Sequence, residues 1–234
     1  MNEFSSAIGA ALSMVATLDA NLIEIVLLSL QISLSAVAIA SIIALPLGAL
    51  IALQSFPGRR AVVILLNALM GLPPVVVGLM VYLLLSRAGP LGSMGLLFTP
   101  TAMVIAQSII VLPIIAALSR QTIADLHEEY DEHLRSLGCS PMQSVATLLW
   151  DGRFRLLTAI MAGFGRAIAE VGAVIIVGGN ILHSTRVMTT TIALETSKGN
   201  LSLALGLGVV LVTLALGVNA AALVISDAAR RRYG

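Results

Sequence analysis

Apolar stretches alternate with short polar segments along most of the chain. A helix that crosses the hydrocarbon core of a membrane needs about 17–25 apolar residues, and five stretches are at least long enough, the first of them overlong. They cover residues 22 to about 53, 61–85, 101–118, 156 to about 178, and 201–225. The pattern predicts an all-α integral membrane protein with about five transmembrane helices in a single domain, residues 1–234. The stretch before Asp19 is too short and weak to span and predicts a surface helix or a tail.

Basic residues predict the orientation, because cytoplasmic loops of membrane proteins carry an excess of Lys and Arg. With the N-terminus outside, the cytoplasmic side receives nine arginines: Arg59, Arg60, Arg120, Arg135, Arg153, Arg155, Arg230, Arg231 and Arg232. The outer side then receives only three basic residues: Arg87, Arg186 and Lys198. The sequence therefore predicts an N-out, C-in topology.

Prolines interrupt three of the spans. The second contains Gly71-Leu-Pro73-Pro74, the first contains Pro46 and the third contains Pro113. Because proline removes a backbone donor and clashes with the preceding turn, these helices are expected to bend or break. In lipid the freed carbonyls need a partner from protein or from water in a cavity, so the double proline is interpreted as a marker of a translocation pathway. A packing kink against a neighbouring helix is the alternative.

Composition supports the membrane assignment and excludes several functions. Hydrophobic residues make up 58% of the 234 residues and charged residues 11%, against roughly 25% charged residues in soluble domains. The net charge of +1 and the lack of a basic, aromatic-rich run give no nucleic-acid surface. Cys139 is the only cysteine, so an internal disulfide is excluded, and the three histidines lack metal-ligand spacing. No phosphate-binding G-x-x-x-x-G-K-[ST] loop occurs, so we do not expect this chain to be an ATP-hydrolysing enzyme.

The segment between the third and fourth spans, residues 119–155, is too polar for a membrane and too long for a tight turn. Its first half places four apolar residues on one helix face, at spacings of four, four and three: Leu126, Tyr130, Leu134 and Leu137. Gly138 can end that helix in the left-handed conformation. Ser140 and Pro141 then supply the N-cap and first-turn proline of a second helix. The pattern predicts a rigid helix–corner–helix that docks a soluble partner, and a solvated connecting loop is the alternative.

The corner also carries a family resemblance. Residues 132–138, Glu-His-Leu-Arg-Ser-Leu-Gly, resemble the E-A-A-x-x-x-G loop of ABC-importer permeases. His133 and Leu134 stand where the two alanines usually occur, and Asp151 stands where the loop usually has a proline. Five further runs are similar to the tungstate-type branch of these permeases: 148–154, 162–173, 177–181, 185–190 and 193–199.

This resemblance implies a bundle like that of type I ABC-importer permeases, working as a homodimer without a cofactor. It implies two kinds of partner: ABC ATPase subunits on the cytoplasmic face and an extracytoplasmic oxyanion-binding protein on the other. The loop would be the element that couples the bundle to the ATPase. The coupling residues it predicts are Glu128, Glu129, Glu132, Arg135, Gly138 and Asp151.

Two charged residues, Arg166 and Glu170, lie inside the fourth span, about 15 and 21 Å along its axis at 1.5 Å per residue. A hydrocarbon core is about 30 Å thick, which places both near its centre. At a spacing of four they share a helix face and can pair, which lowers the cost of burying either charge. Two interpretations stay open. The pair is a fixed ion pair inside the bundle or dimer, or Arg166 helps an oxyanion to cross while Glu170 restrains it, since a guanidinium matches tetrahedral oxygens.

A polar segment follows the fourth span, and its members are Asn180, His183, Ser184, Thr185, Arg186, Thr189, Thr190 and Thr191. These hydroxyls and the arginine could receive an oxyanion from the binding protein. A hydrated loop with a threonine-rich helix start is the alternative. The pathway candidates predicted from the sequence are Arg166, Glu170, Pro73, Pro74, Thr189 and Thr190.

Together these features predict the permease subunit of an ATP-driven oxyanion importer in the inner membrane. The resemblance favours tungstate, and molybdate is the rival because the two anions have the same charge and nearly the same size. A secondary transporter or channel that gates with the Arg166–Glu170 pair is an alternative from another class, although it leaves the capped corner unexplained. A membrane scaffold that only anchors a partner is a third, and the broken second span argues against it.

Overall fold

The computed structural model describes Gly9 and residues 20–233, so the predicted surface helix or tail falls almost wholly outside the described residues. Nine α-helices and a short 3-10 helix, Gly92–Met94, form within residues 20–233. In chain order they are α1 Ala20–Leu53, α2 Arg59–Met70, α3 Pro74–Leu85, α4 Pro100–Ser136, α5 Pro141–Asp151, α6 Arg153–Ile168, α7 Gly172–Gly178, α8 Met188–Ser197 and α9 Leu201–Tyr233.

Three of these helices, α1, α4 and α9, are each long and apolar enough to cross a membrane. The other two predicted spans are bent pairs. The axes of α2 and α3 differ by 99°, and those of α6 and α7 by 59°. The described residues therefore provide three candidate spans, or up to five if each bent pair is one span.

The prediction that prolines bend or break the spans is confirmed at the double proline, whereas the helices do not break at the two single prolines. The chain breaks between α2 and α3, where Pro73 and Pro74 follow each other. Helices α1 and α4 instead continue unbroken through Pro46 and Pro113. A single proline removes one donor from a helix whose other turns are packed against neighbours, and such packing tolerates it. Two adjacent prolines remove two donors from the same turn.

Helices α1 and α4 pack side by side in the same direction and form the centre of the bundle. Three apolar clusters follow one another along both helices, centred on Ile32 with Met103, on Ala40 with Ile115, and on Ala49 with Ile123. The approach is close because small residues line it, as expected where helices pack within lipid. A β-carbon placed on Gly48 would lie 2.6 Å from the carbonyl oxygen of Ala116.

Polar side chains tie the two helices together at intervals. Ser108 Oγ donates to the Ala36 carbonyl at 3.3 Å, and Ser119 Oγ donates to the Leu45 carbonyl at 3.2 Å. At the far end of α1, Arg59 donates from Nε and Nη2 to the carbonyls of Ile51 and Ala52, each at 2.8 Å. A cation here satisfies carbonyls that have no partner within the helix and complements the helix dipole.

Candidate functional site

The two helix breaks lie next to each other. Helix α3 starts at Pro74 and packs beside α7, which starts at Gly172. The backbones approach closely, because a β-carbon on Gly78 would lie only 2.7 Å from Cα of Ala173. One turn earlier, a β-carbon on Gly172 would lie 2.8 Å from Cγ2 of Val75. The first turns of α3 and α7, the helices that follow the two breaks, therefore lie against each other. This brings the double proline close to the break after α6.

Arg166 and Glu170 meet at this point. Arg166 occupies the last turn of α6, which ends at Ile168, and Glu170 lies in the break itself. The predicted pairing is confirmed, because Arg166 Nη1 donates to Glu170 Oε2 at 2.6 Å. The prediction of one continuous helix face is wrong, since the helix ends between the two residues. Arg166 is 32% exposed, whereas Glu170 is 3% exposed.

Glu170 has a second role in the break. Its Oε1 accepts a hydrogen bond from the backbone N–H of Ala173 at 3.1 Å, in the first turn of α7. Its backbone carbonyl accepts from Thr189 Oγ1 at 2.8 Å. One residue thus connects the end of α6, the start of α7 and the start of α8, and the carboxylate satisfies a donor that a helix N-terminus leaves open.

The threonines of the polar segment are buried, whereas the loop that precedes α8 is partly exposed, with the His183 side chain exposed by 59%. Thr185, Thr189, Thr190 and Thr191 are all buried. Thr190 does not reach the ion pair, because its hydroxyl lies 2.9 Å from Oδ1 of Asn180 and accepts from the N–H of Val187 at 3.2 Å. Of the two predicted threonines, Thr189 contacts the break and Thr190 caps α8.

A separate open cavity of about 320 Å³ lies between the start of α1, α8 and α9. Arg186 lines it, and the buried Nε of this side chain has no hydrogen-bond partner among the described residues. Glu195 lines it too. The hydrogen bond from Lys198 is the largest cause that lowers the pKa of this carboxyl below its usual value, and the charge of Arg186 adds to it. The cavity therefore places one cation and one anion in a wall that is otherwise largely apolar.

The corner predicted between the third and fourth spans is confirmed. Helix α4 runs on without interruption to Ser136, Gly138 takes φ 67°, and Ser140 caps α5. The cap is reciprocal, because Ser140 Oγ accepts from the Gln143 N–H while the Ser140 N–H donates to Gln143 Oε1 at 2.8 Å. This is the capping box expected of a well-defined helix start.

The apolar stripe at the corner was predicted only in part. Leu126 and Leu134 are buried against α1 and α5, whereas Tyr130 and Leu137 are exposed, Leu137 by 79%. Further exposed residues lie along α4 and α5 on either side of the corner: Glu128, Glu129, Glu132, Met142, Trp150 and Asp151. Arg155 Nη1 lies 3.8 Å from Glu129 Oε2. The side chain of Arg135 lies outside the described residues. The corner and its flanking helices thus present carboxylates around exposed apolar groups.

Comparison with known proteins identifies the family. A family model for inner membrane components of binding-protein-dependent transport systems matches residues 44–233. The chain belongs to this family. The resemblance to tungstate-type permeases, stated on the loop and the fourth span, is confirmed by the relatives of this permease, and several apolar helices agree with a multi-pass component of the inner membrane.

The chain is similar to three permeases of known or probable anion transporters. A probable anion ABC transporter permease protein of Haloferax volcanii is 39% identical over 204 residues, covering 85% of this permease and 88% of the relative. The tungstate uptake system permease protein TupB of Peptoclostridium acidaminophilum is 38% identical over 220 residues, covering 94% and 96%. The sulfate transport system permease protein CysW of Synechocystis is more distant, at 29% over 205 residues, covering 85% and 74%.

The permease also contains site residues that the sequence analysis missed. Gln107 Nε2 donates to the carbonyl of Ala167 at 3.1 Å, next to the break. Ser29 Oγ accepts from the N–H of Met188 at 2.9 Å, at the start of α8. A polar residue within an apolar span is a signal for such positions, and Gln107 lies in the middle of the third span. Among the described residues, no group of three His, Cys, Asp or Glu side chains could hold a metal ion.

Proposed function

We propose that this protein is the permease subunit of an ATP-driven importer that carries tungstate into the cytoplasm. The observation that carries the choice of anion is the match to the tungstate uptake permease of Peptoclostridium acidaminophilum over 94% of this chain. The broken helices that meet at the Arg166–Glu170 ion pair support a transport role, because irregular backbone inside a membrane is tolerated only against protein or a water-filled cavity. Molybdate is the second candidate, and the separate binding protein would decide between the two anions.

The whole chain would form one transmembrane domain with its N-terminus outside and its C-terminus in the cytoplasm. Residues 119–155 would then project into the cytoplasm and dock an ABC ATPase subunit. The exposed apolar side chains of Leu137 and Met142 support docking, because the tip of a loop with no partner would gain nothing from exposing them to water. Glu128, Glu129, Glu132, Arg135, Gly138 and Asp151 would form the contact. ATP hydrolysis would occur in the ATPase and not in this chain.

The proposed assembly is a homodimer, with the pathway between the two copies. The exposed face of α6 carries the small residues Thr158 and Ala162, and Ala169 follows directly after its end. Gly165 on this face is open to its surroundings, and Arg166 is one-third exposed. A partly exposed arginine near mid-span would be costly against lipid, and small residues favour close helix association. The exposed faces of α2 and α3 instead carry large aliphatic side chains: Ile64, Leu65, Val75, Leu79, Met80 and Leu83.

In this mechanism the exposed part of the Arg166 guanidinium would attract the oxyanion, and Glu170 would limit how tightly the anion binds. Thr189 and the double proline, Pro73 and Pro74, would hold the broken backbone in place around the pair. An extracytoplasmic binding protein would deliver the anion when ATP closes the ATPase subunits, and hydrolysis would return the permease to its inward-facing state. The ATPase can drive this cycle only if it binds the two states with different affinity.

The test is cell-associated tungsten and molybdenum, measured by mass spectrometry at nanomolar supply in a strain lacking the gene and in the complemented strain. Loss of tungsten with little change in molybdenum supports the proposal. Loss of molybdenum alone would replace the anion and keep the transporter class. Uptake that needs no co-purifying ATPase would overturn the importer assignment in favour of a carrier that acts alone.

The same assay tests the ion pair through the double variant Arg166→Met/Glu170→Gln, which removes both charges and keeps an acceptor for the Ala173 N–H. We expect an assembled complex without tungstate uptake. Uptake at the wild-type rate in an assembled complex would remove Arg166 from the pathway.

A further inference from the structure

A small cavity of about 10 Å³ lies beside the break, enclosed by α1, α4, the end of α6 and the start of α8. Much of its wall is polar, and the polar members are Ser29, Ser33, Gln107, Glu170 and Thr189. All five are buried. A cavity of this volume is close to the smallest that holds one water molecule, and such a water needs two to four polar partners.

Gln107 supplies the decisive observation. Its Nε2 donates to the Ala167 carbonyl at 3.1 Å, and this contact fixes which end of the amide is the donor. The other end, Oε1, is buried and has no hydrogen-bond partner among the described residues, although the side chain is only 4% exposed. A buried acceptor without a donor is costly and uncommon, so this oxygen calls for a donor from within the cavity.

Two of the three hydroxyls in the wall are already in use as donors, and the third, that of Ser33, can accept a hydrogen bond as well as donate one. The hydroxyl of Thr189 donates to the Glu170 carbonyl at 2.8 Å, and that of Ser29 donates to the Ile25 carbonyl at 2.6 Å. The Glu170 carboxylate is an acceptor, held by Arg166 and by the Ala173 N–H. The site thus combines one unfilled acceptor with further oxygens that have spare acceptor capacity. A molecule with two donors fits that set.

We propose that one water molecule occupies this cavity, donates one hydrogen bond to Gln107 Oε1 and donates the other to an oxygen of the opposite wall. The water would connect α4 to the break after α6. A bound water can exchange partners when backbone moves, so the break could shift without leaving a buried polar group unsatisfied. The proposal does not depend on which ion the protein carries or on the role of Arg166.

X-ray radiolysis of the full-length protein in detergent tests this. Hydroxyl radicals formed from bound water oxidise the side chains next to it, and methionine is readily converted to its sulfoxide. Met188 lines the cavity, whereas Met103 packs in the apolar cluster around Ile32 and Val177. Both methionines are fully buried, so bulk solvent reaches neither. We expect mass spectrometry to show Met188 oxidised several-fold faster than Met103.

The variant Gln107→Leu removes the unfilled acceptor and should lower the Met188 rate to that of Met103. If this variant does not fold, Ser33→Val fills the cavity from the α1 side and should have the same effect. Equal protection of both methionines in the wild-type protein would overturn the proposal. Fast oxidation of Met188 that persists in the folded variant would overturn it too, because radicals would then reach Met188 by local opening.

Discussion

Replacing the partners of the Arg166–Glu170 pair one at a time should cost more stability than replacing both. Glu170→Gln keeps the side-chain volume and an acceptor for the Ala173 N–H, but it leaves the Arg166 guanidinium without its anion. Breaking a buried ion pair from one side costs about 3–5 kcal/mol. Arg166 is 32% exposed, and solvent reduces the cost on its side, so we expect this variant to lose about 2 kcal/mol, near the value for a charged hydrogen bond.

Arg166→Met is the more damaging single change. It leaves the carboxylate of Glu170, which is 3% exposed, without a cation, and the full cost of about 3–5 kcal/mol then applies. The double variant removes both charges and retains the hydrogen bond to the Ala173 N–H. Because replacing both members of a buried pair by groups of similar volume is often nearly neutral, we expect it to lose less stability than either single variant.

The assay is equilibrium unfolding of the purified protein in detergent micelles, followed by far-UV circular dichroism, with the three variants compared in a double-mutant cycle. The expected coupling is about 3 kcal/mol or more, well above the deviation of about 0.3–0.5 kcal/mol seen for independent sites. Single costs that add within that deviation would show that the contact at 2.6 Å contributes no stability, and the account of Arg166 and Glu170 as a stabilising ion pair would then be wrong.

Three further predictions test other parts of the molecule, and Gly208, which has open space around it in α9, is the control for the first two. Gly165→Leu should disrupt the dimer in cross-linking and light scattering while Gly208→Leu does not, and an intact dimer would refute the assignment of the α6 face. Gly78→Ala should lose about 1–3 kcal/mol from overpacking against the backbone of Ala173, whereas Gly208→Ala should gain up to about 1 kcal/mol from helix propensity. Glu132→Arg should abolish uptake and weaken co-purification of the ATPase, and retention of both would count against the docking corner.

Local patterns predicted the parts of the fold that local physics decides. Length and hydropathy located the apolar spans, and the adjacent prolines located the break between α2 and α3. Gly138 and Ser140 located the corner, because a left-handed glycine and a capping side chain act within a few residues. The pairing of Arg166 with Glu170 followed from their spacing and from the cost of a lone charge in lipid.

Other features depend on contacts between distant segments and could not be read from the sequence. Whether Pro113 breaks its helix depends on the packing of α4 against α1, and the sequence alone does not contain that information. The sequence left open whether Thr189 and Thr190 line the pathway or only start a helix, and the fold buries both in the first turn of α8. Gln107 was missed because the sequence does not show what a single amide in an apolar span would contact. The carbonyl that accepts its hydrogen bond belongs to Ala167, which lies 60 residues away.

The uninterrupted helix α4 connects the break after α6 with the corner between α4 and α5. Gln107 on α4 contacts the break through the Ala167 carbonyl, and the same helix continues to the docking corner at Ser136. The separation from Gln107 to Glu132 is 25 residues, or about 38 Å of rigid helix at 1.5 Å per residue. If an ATPase subunit docks at the corner as proposed, a displacement of the corner would reach the break without passing through a loop. Helix α1 packs along α4 and must move with it, whereas α3, α6 and α7 end or begin at the breaks. This division favours a rigid α1–α4 pair that moves against broken helices. The Gln107–Ala167 contact and the Glu170 network are then the places where the two bodies separate or slide.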